Sequence, residues 1–329
     1  MKKGKKRCNI IVDSCCDLPR EVVDTLEVDL MEFPFSSDDG TYLDDLWSSM
    51  TAHEFYERMR AGEQPQTAQI PVPVFIEHFT RALESGIPTV YLSFSSGLSG
   101  SYDTACSIAE SLAAEHPEGE LHVVDTRLAC IAEGMLVLEA VHQRDRGLTA
   151  KELVEWVEEA RNYVHGYFTL DSLEALRRGG RIPDMAAYAG TKLDIKPLLT
   201  FDLAGLLTIS TIARGRKKSL RALVSLLENR PADAPNSPII VASADAPKDA
   251  DHVAEKVTKQ ISDAIIVRTD VGPVIGSHVG PGMVAFAFFG VDRRKNISIG
   301  DLIAHKVVGK GKDGQPSGLG AVLGTDGDV

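Results

Sequence analysis

Residues 93–105, SFSSGLSGSYDTA, set five serines and two glycines between an apolar run and a helix-like one. A hydroxyl in such a junction can do two kinds of chemistry. It can attack a carbonyl, as in a nucleophile elbow, or it can donate a hydrogen bond to an anion. The elbow needs G-x-S-x-G, and GLSGS carries Ser101 where the last glycine belongs. The anion pocket needs less: backbone N–H groups at a helix start, glycines such as Gly97 and Gly100 that let the chain come close, and a donor such as Ser99. A plain strand-to-helix turn with a serine cap would look the same.

Five further stretches carry polar groups in constrained settings. QTAQIP places Thr67 before a helix, and DSCCD puts Asp13 and Ser14 at the end of an apolar run. GPVIGSHVGPG sets His278 among four glycines and two prolines, which reads as a rigid loop. IARGRKK offers Arg214 with Arg216, Lys217 and Lys218, and RRGGR offers Arg177, Arg178 and Arg181. There is no G-x-x-x-x-G-K-[ST] phosphate loop and no H-E-x-x-H, and the nine histidines are scattered. ATP, dinucleotide and zinc chemistry are therefore not expected of this chain.

These stretches are positioned by elements that alternate. CNIIVDS, VDLMEFPF, PTVYLSF and ELHVVD read as strands of continuous apolar character, with amphipathic helices between them. Such strands belong to a parallel sheet covered on both faces. LPREVVDTL reads as a short helix that Asp17 and Pro19 start. From about residue 165 the pattern becomes α+β: strands HGYFTLD, KLDIKPLLTFD, GLLTISTIAR, PIIVASAD, AIIVRTD and MVAFAFFG are mixed with helices, and a tight turn falls at Ala204–Gly205. The expected organisation is a basic tail over 1–7, an α/β domain over 8–164, an α+β domain over 165–292 and a polar, glycine-rich tail over 293–329.

The 329 residues carry 47 acidic and 35 basic side chains, a net charge of −12, which opposes nucleic-acid binding. No apolar stretch is long enough to cross a bilayer, and the basic start lacks a signal-peptide core, so a cytoplasmic protein is expected. Five cysteines, an odd number, fit a reducing compartment; Cys15 and Cys16 read as small buried residues behind a strand.

Taken in order, VDSCCDLP, QTAQIP, SSGLSGSYDTA, VVDT, LRRGGRI, KLDIKPLL, ARGRKKS and IGSHVGPG resemble the DegV family, the fatty-acid-binding component of bacterial fatty acid kinases. The resemblance covers roughly residues 8–290. It implies an N-terminal Rossmann-like parallel-sheet domain followed by an α+β C-terminal domain, with a long-chain fatty acid held between them. It implies that Thr67, Ser99, Arg214 and His278 lie at the carboxylate, that Asp13, Ser14, Gly97 and Gly100 support the head-group loop, and that Arg181 docks a partner. That partner is a separate ATP-dependent kinase subunit, which phosphorylates the bound acid to an acyl-phosphate; a membrane-associated acyltransferase lies downstream. The chain itself is then a carrier rather than an enzyme, with no cofactor and no metal.

Physical chemistry fits that implication. A buried carboxylate needs donors to replace its water, and burying about ten CH₂ groups contributes roughly 8 kcal/mol before binding costs. MVAFAFF and the KPLL run are candidate walls. Departures from the family pattern are Ala68 for serine with Ile70 displacing the usual proline by one position, the Cys15–Cys16 pair, Ser101 for threonine, and the polar tail beyond Gly290. A serine hydrolase acting on an acyl ester through Ser99, with His278 as base, is the alternative; a kinase subunit for a small polar substrate is a third reading.

Overall fold

The computed structural model describes residues 6–182, 195–231 and 238–296. Along the chain, β1 (Asn9–Asp13) leads through a 3-10 turn (Ser14–Cys16) to α1 (Arg20–Leu26), β2 (Asp29–Met31), β3 (Pro34–Ser37) and β4 (Gly40–Leu43). Next come α2 (Ala52–Arg60), β5 (Gln66–Thr67), α3 (Val72–Glu84), β6 (Thr89–Ser93) and α4 (Ser101–Glu115). They are followed by β7 (Leu121–Asp125), α5 (Cys130–Asp145), α6 (Ala150–Ala160) and β8 (Val164–Thr169). Then α7 (Glu174–Arg178), β9 (Ile195–Phe201), β10 (Leu207–Arg214), α8 (Arg216–Ser225) and β11 (Ile239–Ser243) follow. The last are α9 (Pro247–Gln260), β12 (Ile266–Asp270), α10 (Pro273–Val279) and β13 (Val284–Phe289). Residues Met1–Val291 form one compact unit; a second begins at Asp292, where a 3-10 turn (Arg293–Asn296) is described.

Three sheets result, in a mixed α/β fold. The first is parallel throughout, in the order β2-β1-β6-β7. Its strands are apolar runs because helices cover both faces; every residue of β6 is buried. The second has six strands in the order β10-β9-β8-β13-β11-β12, antiparallel except for β11 beside β12. A small antiparallel sheet, β4-β3-β5, was not expected from the sequence. VDLMEFPF does not form one strand: Glu32–Phe33 breaks it, so that its second part pairs with β4 and β5 instead.

Local signals set the helix starts. Thr51 with Glu54, and Thr149 with Glu152, form reciprocal capping boxes at α2 and α6. Asp17 does not cap α1, which Pro19 precedes; it adopts a left-handed conformation and points elsewhere. The segment around His278, read as a rigid loop, is the short helix α10, with Pro273 in its first turn. The strands of the two large sheets divide between β7 and β8, yet one hydrophobic core runs through both. Helix α5 joins them: it packs on β8, β11 and β13 as well as on the 3-10 turn after β1. A second, smaller core lies under α8 and α9. Most of the polar tail falls outside the described residues.

Candidate functional site

The parallel sheet creates the site. From β1 the chain goes to β2 on one side and later to β6 on the other, so a crevice opens at the carboxyl ends of β1 and β6. Asp13 ends β1 and the serine loop leaves β6. The Asp13 carboxylate accepts from the Phe94 N–H at 2.8 Å, the Tyr91 hydroxyl at 2.9 Å and the Cys15 N–H at 3.1 Å, which pins the start of that loop. Ser14 Oγ accepts from the Phe33 N–H at 3.1 Å. Both side chains are fully buried behind the crevice, so they support it and do not face it.

The loop itself is braced from the second half of the chain. Ser95 Oγ donates to the Gly205 carbonyl at 2.9 Å, in the turn between β9 and β10. At Gly97 a Cβ would sit 2.9 Å from the Gly205 carbonyl carbon, so only glycine allows this approach. Ser99 Oγ donates to Ser101 Oγ at 3.1 Å and accepts from the Ser101 N–H at 3.2 Å, at the first turn of α4.

Across the crevice, Thr67 stands on β5 and meets His278 on α10, with Thr67 Oγ1 2.8 Å from His278 Nε2. These residues are 211 positions apart in sequence. Burial, reinforced by the Arg181 guanidinium, lowers the His278 pKa to about 4, so the ring is neutral at pH 7. Arg181 Nε donates to the Leu98 carbonyl at 3.3 Å and its Nη1 to the Gly179 carbonyl. Thr67, Ser99, Gly100, Arg181 and His278 all line one cavity of about 280 Å³. The rest of its wall is mainly apolar, with Phe33, Ile131, Phe168, Phe201, Leu207 and Phe286 among the lining residues. Its size lies near the lower end of the range for small-molecule pockets, roughly 300–1,000 Å³.

The structure thus brings Thr67, Ser99 and His278 together, with Gly97 and Gly100 in the loop beside them. Two arginines are placed differently from expectation. Arg214 ends the edge strand β10, is exposed and does not line the cavity, whereas it was expected at the head group. Arg181, expected on a docking surface, turns inward and gives the cavity its positive charge. From MVAFAFF come Met283, Ala285 and Phe286, but Leu198 and Leu199 of the KPLL run are buried in the sheet and Phe201 lines the wall in their place. The first half of the chain contributes Phe33, Phe94 and the start of α5, Ala129–Ala132, which sequence reasoning missed along with Gln69. The positive φ of Cys130, 54°, marks that helix start, and no side-chain pattern announces it.

The remaining groups qualify the chemistry. Ser99 and His278 are not hydrogen-bonded to each other; each has another hydroxyl as partner. Cys15 and Cys16 are fully buried in the turn after β1, and burial pushes both thiols well above their ordinary range. Among the described residues, His53, Glu57 and Asp245 bring ligand atoms within 4.8 Å of one another. Arg60 already pairs with both of those carboxylates. No described helix is long and apolar enough to cross a membrane.

Comparison with known proteins gives this geometry its context. The family model described as "Uncharacterised protein, DegV family" matches residues 7–290. A DegV domain-containing protein of Clostridium perfringens is 38% identical over 285 residues, covering 87% of this chain and 98% of that protein. Among solved structures, a fatty-acid-binding DegV family protein from Thermus thermophilus superposes with a TM-score of 0.77 at 27% identity, covering 87% of this chain and 100% of that one. A DegV lipid-binding protein from Thermotoga maritima gives a TM-score of 0.75 at 26% identity, covering 87% and 99%.

Proposed function

We propose that this chain, which belongs to the DegV family, binds a long-chain fatty acid with its carboxylate among Thr67, Ser99, Arg181 and His278. The observation that carries this reading is the make-up of one cavity: hydrogen-bond donors and one guanidinium gathered at a crevice, and aromatic and aliphatic walls elsewhere. A carboxylate leaving water needs donors in return, and Arg181 supplies charge while the hydroxyls supply direction. With His278 neutral, its Nε2 and the Thr67 hydroxyl share one proton between them; when the ring donates to Thr67, the hydroxyl is free to donate to the ligand. The fatty-acid-binding relative from Thermus and the lipid-binding relative from Thermotoga point the same way.

In the fuller form of this reading, the chain is a carrier. It presents the acid to a separate ATP-dependent kinase subunit, whose product is an acyl-phosphate for a membrane-associated acyltransferase. The Thr67 and Ser99 hydroxyls suit that role, because they orient a carboxylate oxygen toward a γ-phosphate while leaving it its nucleophilic lone pairs. The serine hydrolase reading is disfavoured by the partner of Ser99: a nucleophile needs a base within hydrogen-bond reach, and Ser99 meets Ser101 rather than His278.

Native mass spectrometry of the purified protein tests the binding. A co-bound mass equal to a long-chain acid is expected, and it should be lost in the Thr67→Ala/Ser99→Ala double variant. A protein that carries no acid and takes none up from a defined mixture of C14 to C20 acids sinks the reading. Turnover of an activated acyl ester that vanishes in Ser99→Ala would instead revive the hydrolase.

A further inference from the structure

Asp17 is fully buried and acidic, does not itself line the cavity, and touches two of the elements that make its wall. Its carboxylate Oδ1 accepts from the Gly272 N–H at 3.0 Å, and its backbone carbonyl accepts from the Thr269 hydroxyl at 2.9 Å. These two bonds span 255 and 252 residues and hold the segment that enters α10. The Tyr56 hydroxyl adds a third tie, donating to the Val271 carbonyl at 2.7 Å. At Gly272 a Cβ would lie 2.5 Å from Asp17 Oδ1 and 3.1 Å from Asp44 Oδ2, so the approach exists only because glycine stands there. On its other side the Asp17 carboxylate faces the thiol of Cys130, which lines the cavity at the start of α5.

Helix α10 is seven residues long and cannot hold itself in place, because so short a helix forms few of its own hydrogen bonds. Its position comes from the ties at its entry. It carries Val274, Ile275, His278 and Val279 to the cavity, and His278 reaches Thr67 only if the helix starts where it does.

We propose that Asp17 is a positioning residue of the ligand pocket: by anchoring Gly272 and Thr269 it fixes the start of α10, and so sets His278 against Thr67 and the cavity against α5. The role was invisible in the sequence, where Asp17 read as the cap of α1. Its left-handed backbone, φ 49°, is one that Asp and Asn adopt readily, which suits a residue whose side chain must turn back from a tight turn. The functional readout rests on the proposal that the pocket binds a fatty acid, but the structural readout does not.

The groups facing Asp17 from the packed elements are Asp13 on β1, Cys15 and Cys16 in the turn, Asp44 after β4, Tyr56 on α2, and Cys130 and Glu133 on α5. None of them is a cation. Burial, with Asp13 adding to it, raises the Asp17 pKa to about 7, against the lowering contacts with Cys130 and Gly272. Asparagine in its place keeps an acceptor for Gly272 and cannot ionise.

The test is the full chain with ¹⁵N-labelled histidine, read by the His278 ring resonances and by the affinity for a C16 acid. Asp17→Ala should move the His278 resonances and weaken binding at least about tenfold, the scale of one lost buried hydrogen bond. Asp17→Asn should restore both to near wild type and remove a pH-dependent step in the His278 shift near pH 7. If Asp17→Ala does not fold, Gly272→Ala pushes the carboxylate away from the other side and should give the same displacement. Unmoved His278 resonances with unchanged affinity in either variant would overturn the proposal. Wild type that binds no acid at any pH would sink the fatty-acid reading alone, leaving the His278 displacement to decide the role of Asp17.

Discussion

Two polar regions of this molecule lie close together, one half-buried and one fully buried, and their chemistry is opposite. At the crevice, Thr67, Ser99, Arg181 and His278 offer donors and carry no carboxylate. Behind it, Asp13, Asp17, Asp44 and Glu133 gather four carboxyls that are each 0–1% exposed. Among the described residues, the main groups acting on Asp17, Asp44 and Glu133 are other acids, a thiol, a serine and backbone N–H groups, with no cation among them. A donor-rich hollow is an incomplete anion site, completed by a ligand. An acceptor-rich one is completed by protons. Burial raises the pKa of Asp13 to about 6 and of Asp17 to about 7, and holds Asp44 and Glu133 well above the usual carboxylate range, so the cluster keeps protons that exposed carboxyls release. The donors of the pocket and the protons behind it are two solutions to the same cost of burying polar groups.

Removing the charge of the crevice should have the largest effect. Arg181→Ala is expected to weaken fatty-acid binding between about tenfold and a hundredfold, the scale of a lost charge-assisted hydrogen bond, as measured by titration calorimetry. Affinity within about twofold of wild type would mean the guanidinium does not face the carboxylate. The histidine sharpens the same point. A bound anion favours the charged ring, so the His278 pKa should rise from about 4 by roughly one unit or more when the pocket is filled, read by NMR titration. No change on saturation would place the carboxylate elsewhere.

The acceptor-rich side responds to pH with its own sign. Each carboxyl whose value is raised on folding keeps a proton that the unfolded chain loses above about pH 4, so its contribution falls as pH climbs from there through its folded value. For Asp13 and Asp17 that window ends near 6 and 7; His278, lowered to about 4 from its ordinary 6.5, works the other way and costs stability as pH falls through that range. Glu133→Gln should therefore add about 1 kcal/mol or more at pH 8 and less at pH 5, by urea unfolding at both. An equal effect at the two pH values would show that Glu133 is not held protonated. The smallest effect belongs to Arg214→Ala: exposed at the edge of the sheet, it should change affinity by less than about twofold, and a tenfold loss would return it to the head group.

The difference between the two regions also marks what could be read from sequence. Ser99, Thr67 and His278 were legible because each stands in a short motif whose glycines and prolines constrain the backbone. Asp17 and Glu133 were not, because nothing local distinguishes a buried acid from a solvated one. Helix α10 was missed for a related reason: seven residues with prolines and glycines at the ends have weak intrinsic helicity, and the ties from Asp17 and Tyr56 fix the point at which it starts. The split of VDLMEFPF was hidden as well, since pairing partners, not residue type, decide where one strand stops and another begins.

From the sequence alone came the resemblance to the family over roughly residues 8–290, the alternation of buried strands and helices, and the loop that should hold an anion. Those features depend on local pattern: apolar runs, capping pairs, glycines at turns. Tertiary structure decided which arginine enters the cavity, since RRGGR and IARGRKK are equally basic and only the packing of α7 and the edge position of β10 turn Arg181 in and leave Arg214 out. It also decided that Thr67 meets His278 across 211 residues, and that a carboxyl placed before α1 serves α10 instead. Facing and long-range contact are set by how elements pack, and no window of the chain contains them.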